Sequence, residues 1–131
     1  MPQPVRVLIA DDNARSRNGL RALLGTAQLC SKTGAYNESC PEVKIVGEAA
    51  NGQEAVRQIA ECQPDVVLMD VRMPGMDGLE ATRLIKNKWP GIKVVVLTMY
   101  IIYRAEAVAA GADAFLVKGC PDEELLAAIL N

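Results

Sequence analysis

Five runs rich in branched aliphatic residues recur along the chain and restrict its fold more than any other feature. They are VRVLIA from Val5, VKIVG from Val43, DVVLMD from Asp65, KVVVLT from Lys93 and AFLVK from Ala114. Their length and residue types predict β-strands, because branched side chains fit a pleated, buried surface. The segments between them carry helical spacing. Ala14, Leu20, Leu23 and Leu24 mark a first helix, Ala55, Val56 and Ile59 a second, and Leu79, Leu84 and Ile85 a third; Ala105, Val108 and Ala109 mark a fourth, and Leu125, Leu126 and Ile129 a fifth. Strands that are apolar along their length and alternate with helices predict an α/β fold. Right-handed crossovers then place helices over both faces of a parallel sheet. Punctuation agrees: Asn51-Gly52 precedes the second helix, Pro64 the third strand, Pro90-Gly91 closes the third helix, Gly111 follows the fourth, and Pro121 suits the first turn of the fifth. The polar stretch from Gly25 to Glu42 has no period and is read as a long, mobile surface loop joining the first helix to the second strand.

The 131 residues fit one compact domain. A net charge of −2 gives no electrostatic case for nucleic acid binding by these residues themselves. No apolar run approaches the ~20 residues of a membrane span, and the start of the chain does not read as a signal peptide, so a cytoplasmic location is expected. Cys30, Cys40, Cys62 and Cys120 show neither a C-x-x-C pair nor metal-ligand spacing, and the chain has no histidine. A zinc site is therefore not expected, and the thiols are read as reduced.

Ligands of open parallel sheets bind beyond the carboxyl ends of the strands. That is where the polar residues fall: Asp11-Asp12 after the first strand, Asp70 after the third, Thr98 after the fourth and Lys118 after the fifth. Three carboxylates brought together stay ionised when a cation sits among them, and hard oxygen ligands with open positions suit Mg²⁺, or Mn²⁺. One carboxylate is then able to attack a phosphoryl donor and form an acyl phosphate, with the Lys118 ammonium and the Thr98 hydroxyl contacting phosphoryl oxygens. Asp70, alone at the end of the central strand, is the expected nucleophile. A plainer alternative makes Asp70 the opening of the Met73-Pro74-Gly75-Met76-Asp77-Gly78 turn. It accounts for Asp70 but not for the matching residues at the other strand ends.

These residues resemble a known family. Asp11-Asp12 after VRVLIA, VVLMDVRMPGMDGLEATR around Asp70, Leu97-Thr98, and FLVKG around Lys118 are similar to the receiver domain of bacterial two-component response regulators, over almost the whole chain except the insertion. The resemblance implies a flavodoxin-like (CheY-like) doubly wound five-stranded parallel sheet of order 2-1-3-4-5 with five surrounding helices. It implies that a sensor histidine kinase phosphorylates Asp70, with Mg²⁺ held by Asp12 and Asp70, by Asp11 chiefly through water, and by the backbone carbonyl of Arg72. Thr98 and Phe115 match the family's switch pair, in which the hydroxyl moves toward the phosphoryl group and the aromatic ring swings inward. Phe115 lacks the hydroxyl of the commoner tyrosine, so only the packing role carries over; a static core aromatic is the alternative. Gly47-Glu48-Ala49-Ala50 before Asn51-Gly52, and Gly119 after Lys118, resemble the NarL/LuxR-type branch with a helix-turn-helix output domain. The chain is accordingly expected to be an excised receiver whose DNA contact is made by a domain following residue 131.

Met99-Tyr100-Ile101-Ile102-Tyr103 puts five apolar or aromatic residues in one loop. Either the run is an interface, or two or three of its residues tuck under the fourth helix. As an interface it adjoins the surface of helix four, strand five and helix five, to be covered by a homodimer partner or an intramolecular output domain. Two other functions compete with this one. An aspartate-nucleophile phosphatase needs an acid two residues after the nucleophile, where this chain has Arg72, so a signalling domain rather than an enzyme is expected. A phosphorylation-independent dimerisation module would leave the five polar strand-end residues without a purpose.

Overall fold

The computed structural model describes residues 3–25 and 42–131. Apart from its end residues, the Gly25 to Glu42 insertion, with Cys30 and Cys40, lies outside the described residues. Among those residues the chain runs β1 (Val5–Ala10), α1 (Ala14–Leu24), β2 (Val43–Ala49), α2 (Gly52–Cys62), β3 (Val66–Met69), α3 (Gly78–Lys88), β4 (Lys93–Thr98), one 3₁₀ turn (Ile101–Tyr103), α4 (Arg104–Ala109), β5 (Ala114–Val117) and α5 (Asp122–Leu130). The strands form one parallel sheet in the order β2-β1-β3-β4-β5. This is the expected doubly wound arrangement with five helices.

Alternate residues of each inner strand serve opposite faces. On one face Leu8, Val67, Met69, Val94 and Val96 pack with Ile59 of α2 and Ile85 of α3. On the other, Val7, Ile9, Leu68, Val95 and Leu97 pack with Leu24 of α1 and with Leu126 and Ile129 of α5. Two apolar layers on one sheet explain why β1, β3 and β4 read as unbroken apolar runs, while the edge strands β2 and β5 are mostly half-buried.

The helix starts are set by side-chain caps on the loops that leave the carboxyl ends of β1, β2 and β3. Asn13 accepts from the backbone N–H groups of Arg15 and Ser16, Asn51 from that of Glu54, and Asp77 from that of Glu80. Each cap contributes about 1 kcal/mol and holds its loop in one conformation.

Several sequence expectations shift by a face or a residue. Ala14, Leu84, Ala105, Val108 and Ala109 are exposed, and the buried residues of α4 and its C-terminal cap are Ala107 and Ala110 instead. The apolar residues of that segment surround the helix, so periodicity had no means of choosing its buried side. Pro121 stands at the cap of α5, outside the helix, and the first turn is Asp122, Glu123 and Glu124, acids that suit the positive end of the helix dipole. No helix among the described residues is long and apolar enough to cross a membrane.

Candidate functional site

The parallel ladder continues one residue past the strands and thereby aims the acids. Asp11 donates its N–H to the Ala49 carbonyl at 2.9 Å, Asp70 to that of Ala10 at 2.9 Å, and Lys118 to that of Thr98 at 2.8 Å. Lys118 Nζ reaches Asp11 Oδ2 at 2.7 Å and Asp70 Oδ2 at 2.9 Å. The other oxygens accept from backbone: Asp11 Oδ1 from the Asn13 N–H and Asp70 Oδ1 from the Val71 N–H, both at 2.8 Å. Asp11, Asp12 and Asp70 each offer one carboxylate oxygen, and these lie within 4.8 Å of one another. Asp11 and Asp70 are buried; Asp12 is exposed.

Burial works against the Lys118 charge, but hydrogen bonds and attraction from Asp11 and Asp70 together outweigh it, and its pKa is held above the ordinary 10.5. The Lys118 ammonium pairs with two of the three clustered carboxylates. The donor set consists of oxygens and is open on the Asp12 side, so it fits a hard divalent ion that takes one or two carboxylates and keeps several waters.

Of the predicted residues, Asp11, Asp12, Asp70 and Lys118 come together. The Thr98 hydroxyl bonds to none of them. It is fully buried, and among the described residues its Oγ1 is the one buried side-chain nitrogen or oxygen without a hydrogen-bond partner. Such an orphan costs about 1–3 kcal/mol. Phe115 is half-buried against the core beneath α4, with the Arg104 guanidinium 5.4 Å from its ring centroid.

A cleft of about 550 Å³ opens beside the acids, bordered by Asp12, Arg72, Asp77, Tyr103 and Glu106. At its lip Arg72 Nε donates to Tyr103 Oη at 3.2 Å, and the guanidinium lies 4.2 Å from the Tyr100 ring centroid. The Tyr103 hydrogen bond, followed by attraction to both tyrosines, raises the Arg72 pKa further, leaving this side chain no part as a general acid. In the apolar run Met99, Tyr100, Ile101 and Ile102 are 67%, 41%, 61% and 74% exposed. Only Tyr103 of the run tucks against the core. Cys62 and Cys120 are free thiols, and burial, followed by the Glu124 charge, pushes the Cys120 thiol up.

Sequence reasoning overlooked two residues that support the acids. Arg17 of α1 donates through Nη1 to the Asp11 carbonyl, and its Nε lies 3.3 Å from Glu48 Oε1 at the end of β2. The only local signal was a basic residue one turn beyond the Asn13 cap; its partner belongs to another element.

Residues 7–130 match the family described as the response regulator receiver domain. The chain belongs to this receiver family. It is 35% identical over 130 residues to response regulator protein VraR of Staphylococcus saprophyticus, covering 96% of this chain and 55% of VraR. It is 38% identical over 129 residues to transcriptional regulatory protein LiaR of Bacillus subtilis, covering 95% of this chain and 54% of LiaR. The receiver thus spans about half the length of these curated relatives. Among solved structures it is similar to a LuxR-family two-component response regulator from Aurantimonas, with TM-score 0.79 and 32% identity over 96% of this chain and 82% of that one. A LuxR-family DNA-binding response regulator from Staphylococcus aureus aligns with TM-score 0.72 and 33% identity over 95% of both chains. The relatives of this receiver are LuxR/NarL-type regulators, as its motifs imply.

Proposed function

We propose that this receiver takes a phosphoryl group from a sensor histidine kinase onto Asp70, with Mg²⁺ or Mn²⁺ held by Asp11, Asp12, Asp70 and the backbone carbonyl of Arg72. The observation that carries this reading is the convergence of Lys118 Nζ on Asp11 and Asp70 within reach of a third carboxylate, Asp12. In the transfer an Asp70 oxygen bonds to phosphorus as the P–N bond of the kinase phosphohistidine breaks, and the departing electron pair stays on the imidazole. A bound divalent ion supplies positive charge against the crowd of carboxylate and phosphoryl oxygens. Lys118 exchanges a carboxylate partner for a phosphoryl oxygen and neutralises part of the new charge.

The unpartnered Thr98 hydroxyl supports a switch role. An acceptor oxygen arriving on Asp70 offers the bond it lacks, and inward movement of Phe115 fills the space the Thr98 loop leaves. Thr98 ends β4 and the exposed run follows it directly, so one segment joins the phosphoryl site to the surface of α4, β5 and α5. There Tyr100, Ile101, Ile102 and Tyr103 form an interface for a second copy or an intramolecular output domain. The similarity to transcriptional regulatory proteins supports DNA binding through such a domain, in the cytoplasm.

Labelled acetyl phosphate with Mg²⁺ tests the reading. The receiver should incorporate up to one equivalent of phosphoryl group and Asp70→Asn none; label retained by Asp70→Asn would overturn it.

A further inference from the structure

Asp11 uses every polar atom it has. Its N–H bonds to Ala49, its Oδ1 accepts from Asn13, its Oδ2 accepts from Lys118, and its carbonyl accepts from Arg17 Nη1. That carbonyl belongs to the peptide joining Asp11 to Asp12. Asp12 is exposed, and its carboxylate has no hydrogen bond or ion pair among the described residues, so the fold controls its placement only through the peptide that carries it. Arg17 is itself held in place. Its Nε pairs with Glu48 Oε1 at 3.3 Å, Glu48 Oε2 takes Arg21 Nη1, and the Glu48 carbonyl accepts from Gln58 Nε2 at 2.7 Å. The Arg17 side chain is 19% exposed, against 54% for Arg21.

We propose that Arg17 is a positioning residue for the divalent cation: braced by Glu48, it fixes the Asp11–Asp12 peptide so that the Asp12 carboxylate joins Asp11 and Asp70. This rests on the reading of the acidic cluster as a cation site. The guanidinium bonds to the Asp11 carbonyl and to Glu48, and to none of the three clustered carboxylates. It acts through the peptide plane, as outer-shell groups orient metal ligands elsewhere.

The direction of the effect separates positioning from charge. A guanidinium near three carboxylates repels a divalent cation, so through space alone the loss of Arg17 would tighten binding. Positioning demands the opposite, because losing an outer partner of a metal ligand weakens affinity by about 10–100-fold.

The test is a calorimetric titration of the receiver with Mg²⁺ and with Mn²⁺, without any phosphoryl donor. Arg17→Met should bind about tenfold more weakly than the unaltered chain. Arg17→Lys keeps the charge but loses the fork that serves the Asp11 carbonyl and Glu48 together, so it should also bind more weakly. Arg15→Met removes an exposed charge from the same helix without touching Asp11 or Glu48, and should bind as the unaltered chain does. Partial unfolding of a variant lowers the number of sites and not the affinity of those remaining, so the two are read separately from one titration. Unchanged or tighter binding by Arg17→Met, or unchanged binding by Arg17→Lys, would overturn the proposal. No cation binding by the unaltered chain would instead remove the reading of the cluster beneath it.

Discussion

Asp12 carries the least compensated charge of the acidic cluster. Asp11 and Asp70 each accept from a backbone N–H and share the Lys118 ammonium, whereas Asp12 adds a third negative charge with no donor among the described residues. Two unit charges at such a spacing repel by on the order of 1 kcal/mol in water. Asp12→Asn should therefore stabilise the receiver by about that amount in urea denaturation with a chelator present. The same variant should lose most of what Mg²⁺ adds to the unaltered chain, which mass action sets at about 2.7 kcal/mol when the ion is at a hundred times its Kd. A variant no more stable in chelator would place Asp12 outside the repulsion. These acids and Lys118 are legible in the sequence because each lies within two residues of a strand's end, and parallel strands end on one edge. Arg17 and Glu48 are not, because neither carries a local mark of the other.

The turn from β3 into α3 holds Asp70 from behind. The Gly78 N–H donates to the Val71 carbonyl at 2.8 Å, and Thr82 Oγ1 donates to the Gly78 carbonyl at 2.6 Å. A Cβ on Gly78 would lie 1.8 Å from the Asp70 carbonyl oxygen, so the turn closes only over a residue without a side chain. Gly78→Ala must push the helix off the Asp70 backbone, at a cost of about 1–3 kcal/mol. Its urea midpoint should fall accordingly, and its rate of phosphoryl incorporation should fall with it; an unchanged midpoint would show that the turn relaxes without strain. The starts of α1, α2 and α3 follow from their Asn and Asp caps, which are local signals. The buried side of α4 does not, since Ala105, Ala107, Ala109 and Ala110 are chemically alike and only the neighbouring sheet distinguishes them.

Across the whole receiver, the acidic edge and the apolar surface are two ends of the segment that runs from Thr98 to Tyr103. Arg72 ties the Tyr100 and Tyr103 end of that segment to the loop after β3, so a change at Asp70 has a physical route to Met99, Ile101 and Ile102. Beryllofluoride, a phosphoryl mimic, should increase self-association in sedimentation velocity. Ile102→Asp should abolish that gain while leaving the unfolding midpoint unchanged, because Ile102 is 74% exposed. Equal sedimentation with and without the mimic would count against a phosphorylation-driven interface. The order of elements, the parallel sheet and the edge that gathers the acids were all present in the chain's periodicity, because alternation and crossover handedness leave few topologies open. Only the folded molecule decided that Lys118 bridges Asp11 and Asp70, that the Thr98 hydroxyl lies buried without a partner, that Arg17 braces the Asp11 carbonyl, and that four residues of the apolar run stand in solvent. Each of these depends on distances of a few ångströms between residues remote in sequence. Strand register and helix packing set such distances, and a pattern of residue types does not record them.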